Sequence, residues 1–268
     1  MKIRNVNYYV ETKGEGEPLV LLHGFTGSTA DWFPFVEEFS KASQVVLIDL
    51  IGHGKTEKPH DEARYQMEEV VEDLKEIFDQ LGLEKVTLLG YSMGGRTALS
   101  FASIYPERVH KLILESSSPG LQTEEEREER RERDRMLANK IEQEGMEWFV
   151  GKWGNIPLFA SQKRLPDAVK EMQTKQRLKN VPRGLANSLR GMGTGEQPSW
   201  WNELNTFNFP VFLLTGEEDE KFFTIAKKMK KLIPNAFHQV IDHAGHTIHL
   251  EEPKIFAKIV VDALKEHS

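Results

Sequence analysis

No cysteine occurs among the 268 residues. That excludes disulfides and thiolate-held metal sites. Long apolar runs are missing as well. None reaches the roughly 20 residues that a membrane-spanning helix needs. The opening stretch, MKIRNVNYYVETKGEGEP, has no apolar segment of the kind an export signal carries, so the cytoplasm is the expected compartment. Positive charge is not in excess either. The formal net charge is −7, which disfavours nucleic acid and anionic membranes as partners, because both need a basic face. Internal repeats are absent.

What is present is an ordinary globular composition, 39% hydrophobic and 29% charged, in a chain long enough for one large domain with a sizeable core. Short apolar runs recur: PLVLLHG (18–24), QVVLIDL (44–50), KVTLLG (85–90), KLILES (111–116) and PVFLLTG (210–216). Each is too short for a buried helix and is bounded by turn residues, so each reads as a buried parallel strand. Helical patterns lie between them, over roughly 66–81, 93–104, 222–232 and 253–265. Alternation of this kind predicts an α/β fold with a mostly parallel sheet covered on both faces. The stretch from Pro119 to about Trp201 carries no strand signal and is too long for a connection within a sheet. It reads as a helical cap (119–201) inserted into a core made of 1–118 and 202–268.

The string LLGYSMGGR (88–96) ends a strand pattern in Gly-x-Ser-x-Gly: Gly90, Tyr91, Ser92, Met93, Gly94. A serine on a sharp strand-to-helix turn presents its hydroxyl above the sheet, and flanking glycines avoid collisions there. A hydroxyl alone is a poor nucleophile or base. It needs a histidine, and the histidine needs a carboxylate, in chain order Ser, Asp/Glu, His. LLTGEEDEKF offers Glu217, Glu218, Asp219 and Glu220 after a strand, and IDHAGHTIHLEEP offers His243, His246 and His249. Asp219 and His246 are the favoured pair. The other acids read as solvated or capping, and the other histidines as loop or packing residues. An oxyanion site built from backbone N–H groups fits Met93, just after the serine, and Phe25 in the loop following LVLLHG. The His23 imidazole reads as a brace for that loop.

Over nearly its whole length the sequence resembles the α/β-hydrolase family, with GEEDEKF matching its acid loop, HAGHTIHLEEP its histidine loop and DLIGHGKT (49–56) its glycine-rich loop. Within that family, GYSMGGR, SSPGLQTEEEREERRERDR, PLFASQ and EDEKF look like the 2-succinyl-6-hydroxy-2,4-cyclohexadiene-1-carboxylate (SHCHC) synthases of menaquinone biosynthesis. The resemblance implies a lyase that eliminates pyruvate from an enolpyruvyl-cyclohexene carboxylate bearing a succinyl side chain. It implies no metal and no organic cofactor. Substrate carboxylates would be held by Arg96, Arg130 and Arg177, the last matched across an insertion. Tyr91, Trp153 and Phe159 would line the pocket.

Arg130 has support from the sequence itself. Thr123 and Glu126 form a capping-box pattern that starts a helix near 124. On a helical wheel Arg130 lies within roughly 20° of Leu137 and Ile141, the inward stripe. Arg127, Arg131, Arg133 and Arg135 fall elsewhere and read as solvated charges in i,i+4 pairs. The expected partner is therefore a small anionic substrate, and the expected state a monomer or weak homo-oligomer. Two rival readings stand beside the lyase. One is a serine carboxylesterase or C–C bond hydrolase, because the triad itself does not discriminate. The other is a hydrolase-fold ligand-binding module with little turnover.

Overall fold

The computed structural model describes residues 1–265. A two-stranded ribbon, β1 (Lys2–Ile3) and β2 (Val6–Asn7), precedes β3 (Val10–Lys13) and β4 (Glu17–Leu22). There follow α1 (Phe33–Phe39), β5 (Ser43–Ile48), α2 (Met67–Gln80), β6 (Val86–Tyr91), α3 (Met93–Ile104) and β7 (Val109–Glu115). The helices α4 (Glu124–Trp153), α5 (Asp167–Leu178) and α6 (Pro182–Met192) come next. The chain then returns through β8 (Val211–Gly216), α7 (Glu220–Leu232), β9 (Ala236–Ile241), α8 (Ile248–Glu251) and α9 (Pro253–Lys265). Among the described residues, no helix is long and apolar enough to cross a membrane.

The main sheet has seven strands in the order β3-β5-β4-β6-β7-β8-β9, and only β3 runs antiparallel to its neighbour. Burial on both faces explains the apolar runs. Successive side chains of a strand point to opposite faces. Val20, Leu22, Val46, Ile48, Leu88, Leu112 and Leu114 pack into one core layer, with Leu74, Ile77 and Phe78 of α2 and Leu99 and Phe101 of α3. Leu19, Leu21, Val45, Leu47, Leu89, Ile113 and Leu214 pack into the other, with Phe35 and Phe39 of α1 and Phe256 and Val260 of α9. Each such side chain contributes roughly 1.5–3 kcal/mol when removed from water.

The five strands β4 to β8 and four helices were legible as patterns, with ends shifted by a residue or two. The ribbon, β3 and α1 were not. β3 reads VETK and is largely exposed along the sheet edge, so no hydrophobic run announces it. Its charges also discourage further strand pairing there. α1 is short, and its one signal is Pro34 in its first turn.

The stretch 119–201 is helical. The capping box forms as the sequence predicts: the Thr123 hydroxyl accepts from the Glu126 N–H, and the Glu126 side chain returns to the Thr123 N–H. α4 is broken at Gly145, whose φ is 80°. Ala138, Ile141 and Phe149 of α4 pack on Leu185, Ala186 and Leu189 of α6 in a small core separate from the two sheet layers.

Candidate active site

Ser92 stands between β6 and α3 with φ 51°, ψ −105°. A non-glycine residue in this region is strained. Surrounding packing holds it: the Ser92 N–H donates to the Glu115 carbonyl at 2.9 Å, and the Ser117 hydroxyl donates to the Ser92 carbonyl at 3.2 Å. A Cβ on Gly94 would meet the Leu22 and His23 carbonyls, so the helix can start this close to β4 only with glycine there. Asp219 stands at the N-cap position of α7 just past β8, its side chain making no capping bond, and His246 lies in the loop after β9. Gly216 lets those two loops touch, because a Cβ there would collide with the Ala244 and Gly245 carbonyls.

The three side chains form one hydrogen-bonded chain. His246 Nδ1 lies 2.7 Å from Asp219 Oδ2, and His246 Nε2 lies 3.0 Å from Ser92 Oγ. Because a carboxylate only accepts, Nδ1 carries the proton and Nε2 is free to accept from the serine. His246 is 1% exposed and Asp219 6%. Dry surroundings strengthen both bonds. Glu217, Glu218 and Glu220 are exposed. Glu218 pairs with Arg164 at 2.8 Å, and Glu217 accepts from the His243 N–H at 3.2 Å.

A cavity of about 160 Å³ opens at the serine. Phe25, Tyr91, Ser92, Met93, Arg96, Arg130, Trp153, Phe159 and His246 all line it. Met93 is the first residue of α3, where backbone N–H groups have no partner within the helix. Phe25 follows the loop that His23 braces. The His23 Nδ1–H donates to the Gly24 carbonyl at 2.8 Å, and its Nε2 accepts from the Leu50 N–H at 3.0 Å. Trp153, Phe149 and Phe25 form an aromatic wall with centroids 5.3–6.1 Å apart. Phe159 adds to it, 6.0 Å from Trp153 and 6.1 Å from His246.

The cations are anchored differently. Arg96 is buried and donates to the Met192 carbonyl and to Gln197 Oε1, both at 2.9 Å. Burial, and after it the Arg130 charge, lower its pKa to about 10. It remains protonated at neutral pH. Arg130 donates through Nε to Asp134 at 2.9 Å. Asp134 is itself buried on the inner face of α4, beside Ala138 and Ile141.

The model of the α/β hydrolase fold matches residues 17–253. A Bacillus subtilis (strain 168) protein, provisionally named an SHCHC synthase, is 49% identical over 97% of this chain and 95% of its own. The SHCHC synthase of Salmonella heidelberg (strain SL476) is 34% identical over 88% of each chain. A solved structure, MenH from S. aureus, superposes with a TM-score of 0.91 at 38% identity, covering 99% of both chains. The chain belongs to the SHCHC synthases, a family of the α/β-hydrolase fold.

Two expectations need correction in light of this synthase architecture. Arg127 and Arg131 are not merely solvated. Arg127 donates to the Gly195 and Glu196 carbonyls, and Arg131 to the Gly195 carbonyl, all at 3.2 Å. They pin the segment that carries Gly193 and Thr194 into the cavity wall. Both also pair with acids of their own helix, Arg127 with Glu124 and Arg131 with Glu124 and Glu128, but a wheel centred on apolar residues misses the main-chain oxygens they reach across the cap. Arg133 and Arg135 do face solvent, with side chains 66% and 56% exposed.

Tyr91 is a wall residue whose hydroxyl is bonded to Thr247 Oγ1 at 2.7 Å. Arg177 does not line the triad cavity. Its guanidinium stands 5.1 Å from the Phe159 ring centre and opens into a neighbouring cavity of about 470 Å³, which shares Phe25, Tyr91 and Phe159 with the first. Burial lowers its pKa. His249 is a packing residue, as its context suggests. It is buried against Trp32 and Tyr91, with Nδ1 2.8 Å from Glu115.

Sequence reasoning missed Asp134, Gln197, Phe222 and Lys221. Phe222 lies 4.7 Å from the His246 ring. Lys221 lines the cavity mouth. For Lys221 a signal was available: a lysine in the first turn of a helix opposes the helix dipole.

Proposed function

We propose that the chain acts as an SHCHC synthase, eliminating pyruvate from 2-succinyl-5-enolpyruvyl-6-hydroxy-3-cyclohexene-1-carboxylate, with Ser92 as base. Asp219 orients His246 and stabilises its imidazolium. His246 takes the Ser92 hydroxyl proton as the serine oxygen removes the proton alpha to the succinyl ketone. The developing enolate oxygen is held by the N–H groups of Phe25 and Met93, worth a few kcal/mol per donor. Its electrons return through the ring double bond, the C–O bond to the enolpyruvyl group breaks, and the departing enolate takes a proton and becomes pyruvate. Arg96, Arg130 and Arg177 hold carboxylates, and Tyr91, Trp153 and Phe159 wall the ring.

The observation that carries this reading is the opening of the Ser92–His246–Asp219 chain into the same cavity as Arg96 and Arg130. An uncharged ester has no use for one buried and one half-buried guanidinium in its pocket, whereas a polycarboxylate matches their planar forks.

Pockets for ligands of this size run to roughly 300–1,000 Å³, well above the present cavity. Residues 119–201 therefore act as a cap that opens for substrate and closes over it. Arg177, one ring behind Phe159, comes within reach of substrate in that motion.

The deciding assay measures pyruvate released from the enolpyruvyl substrate. Deuterium at the abstracted position should slow turnover where chemistry limits the rate. A fluorophosphonate should label Ser92, because labelling requires only nucleophilicity. A serine ester trapped with the true substrate, seen as added mass on rapid quench, rejects the base mechanism in favour of the hydrolase reading. Hydrogen exchange should slow across 119–201 when SHCHC is bound. Unchanged exchange at saturation removes the cap motion.

A further inference from the structure

Lys221 sits at an unfavourable place for an empty protein. It is in the first turn of α7, one residue after Glu220 and two after Asp219 at the N-cap position. A cation there faces the positive end of the helix dipole. No carboxylate among the described residues lies within ion-pair distance of its ammonium, which stands 5.3 Å from the centre of the Phe222 ring. The charges around it are mostly of its own sign. Arg130, Arg133 and Arg96 repel it, and Asp219 attracts it. Asp219 is already bonded to His246. Burial of the stem, and then Arg130, lower the ammonium pKa. A lysine that solvates freely has no reason to stay against Arg130, yet this one lines the triad cavity, at its exposed mouth. Local choices that work against stability without a compensating contact mark functional positions.

The cavity wall thus holds three cations, Arg96, Arg130 and Lys221. Asp134, on Arg130, is the carboxylate that neutralises one of them. The substrate of the proposed reaction carries three carboxylates: one on the ring, one on the succinyl chain and one on the enolpyruvyl group. Arg96 and Arg130 are anchored in the inner wall by Met192, Gln197 and Asp134. Lys221 is the cation at the rim, and the fragment that leaves must pass the rim.

We propose that Lys221 binds the carboxylate of the departing three-carbon enolpyruvyl fragment, while Arg96 and Arg130, joined by Arg177 when the cap closes, keep the two carboxylates that stay with the ring. The assignment rests on the synthase reading above. The Phe222 ring neighbours both the ammonium, at 5.3 Å, and the His246 ring, at 4.7 Å, which puts the cation near the reacting end of the substrate. An ammonium suits this task. It is a compact, well-hydrated charge that can hold a carboxylate in the closed site and surrender it to water on release, without the fixed two-point geometry of a guanidinium.

The test compares Lys221→Gln with wild type in three assays. KM for the enolpyruvyl substrate should rise about tenfold, the lower end for a charged hydrogen bond. Inhibition by pyruvate should weaken by a similar factor. Inhibition by SHCHC, which keeps only the ring and succinyl carboxylates, should stay unchanged. Lys221→Arg should restore part of the KM. The Tm of Lys221→Gln should equal or exceed that of wild type, because the repulsion and the dipole conflict are gone. Equal weakening toward SHCHC and pyruvate overturns the assignment to the leaving fragment, and so does an unchanged KM. A wild-type protein that releases no pyruvate sinks the functional reading itself, an outcome distinct from active wild type with an indifferent Lys221→Gln.

Discussion

The triad and the arginines share one cavity but are held in different ways. Ser92, Asp219 and His246 hang on the ends of neighbouring or nearby parallel strands, and main-chain contacts set their loops. The Ser92 N–H bonds to the Glu115 carbonyl, and the Glu218 N–H to the Ala244 carbonyl. Arg130 and its wall hang on helices that meet the core through side chains and loop carbonyls, such as Arg127 and Arg131 on Gly195. The sheet side is a rigid frame for the chemistry. The helical side, on the proposed reading, moulds itself to the substrate. Damage to the first should strike kcat, and damage to the second chiefly KM.

The sharpest break of that contrast is at the triad. Ser92→Ala and His246→Ala should each lower kcat by about 10⁴–10⁶-fold, with the double variant scarcely worse, as for residues that work as a unit. Additive losses measured in steady-state kinetics would separate the two residues. Next in size are Arg96→Ala and Arg130→Ala, each expected to lower kcat/KM by roughly 2–5 kcal/mol, the range for one partner of a buried charge pair. Arg130→Ala should also depress Tm, since it strands the buried Asp134 carboxylate. Pairing it with Asp134→Asn should recover Tm but not KM.

Arg127→Ala probes the mould alone. It should raise KM a few-fold and speed hydrogen exchange at 193–197, with kcat little changed, whereas Arg133→Ala should leave all three alone. If Arg127 and Arg133 behave alike, the Gly195 anchor has no consequence. The smallest effect concerns acid stability. Burial, then His23, lower the His53 pKa from 6.5 to about 3, so between those values the unfolded chain binds a proton that the fold refuses. Stability should therefore fall as pH drops through this window, with a slope of up to about 1.4 kcal/mol per pH unit. His53→Asn should flatten that limb in denaturant titrations. His249 acts in the opposite sense. Burial opposes its charge, but Glu115 outweighs burial and raises its pKa, so its contribution is present at low pH and lost as pH rises through the raised value.

The core of this protein was legible because its signals are local. The strand LLGY, the elbow at Ser92 and the acid and histidine loops each announce themselves within about ten residues, since strand burial and turn chemistry act over that distance. Chain order then narrowed the partners to those two loops, and the family resemblance favoured Asp219 and His246 within them. The capping box at Thr123 was legible for the same reason, and so was the inward face bearing Arg130.

Tertiary structure alone decided what those groups face. Only packing brought Gly195 under Arg127, turned the Tyr91 hydroxyl to Thr247, set Arg177 behind Phe159 and left Lys221 facing Arg130 across the mouth of the cavity. These pairings join residues from 18 to 156 positions apart in the chain. No local period encodes them, because a polar side chain on an inserted helix takes its role from whichever carbonyl, ring or charge the fold brings against it.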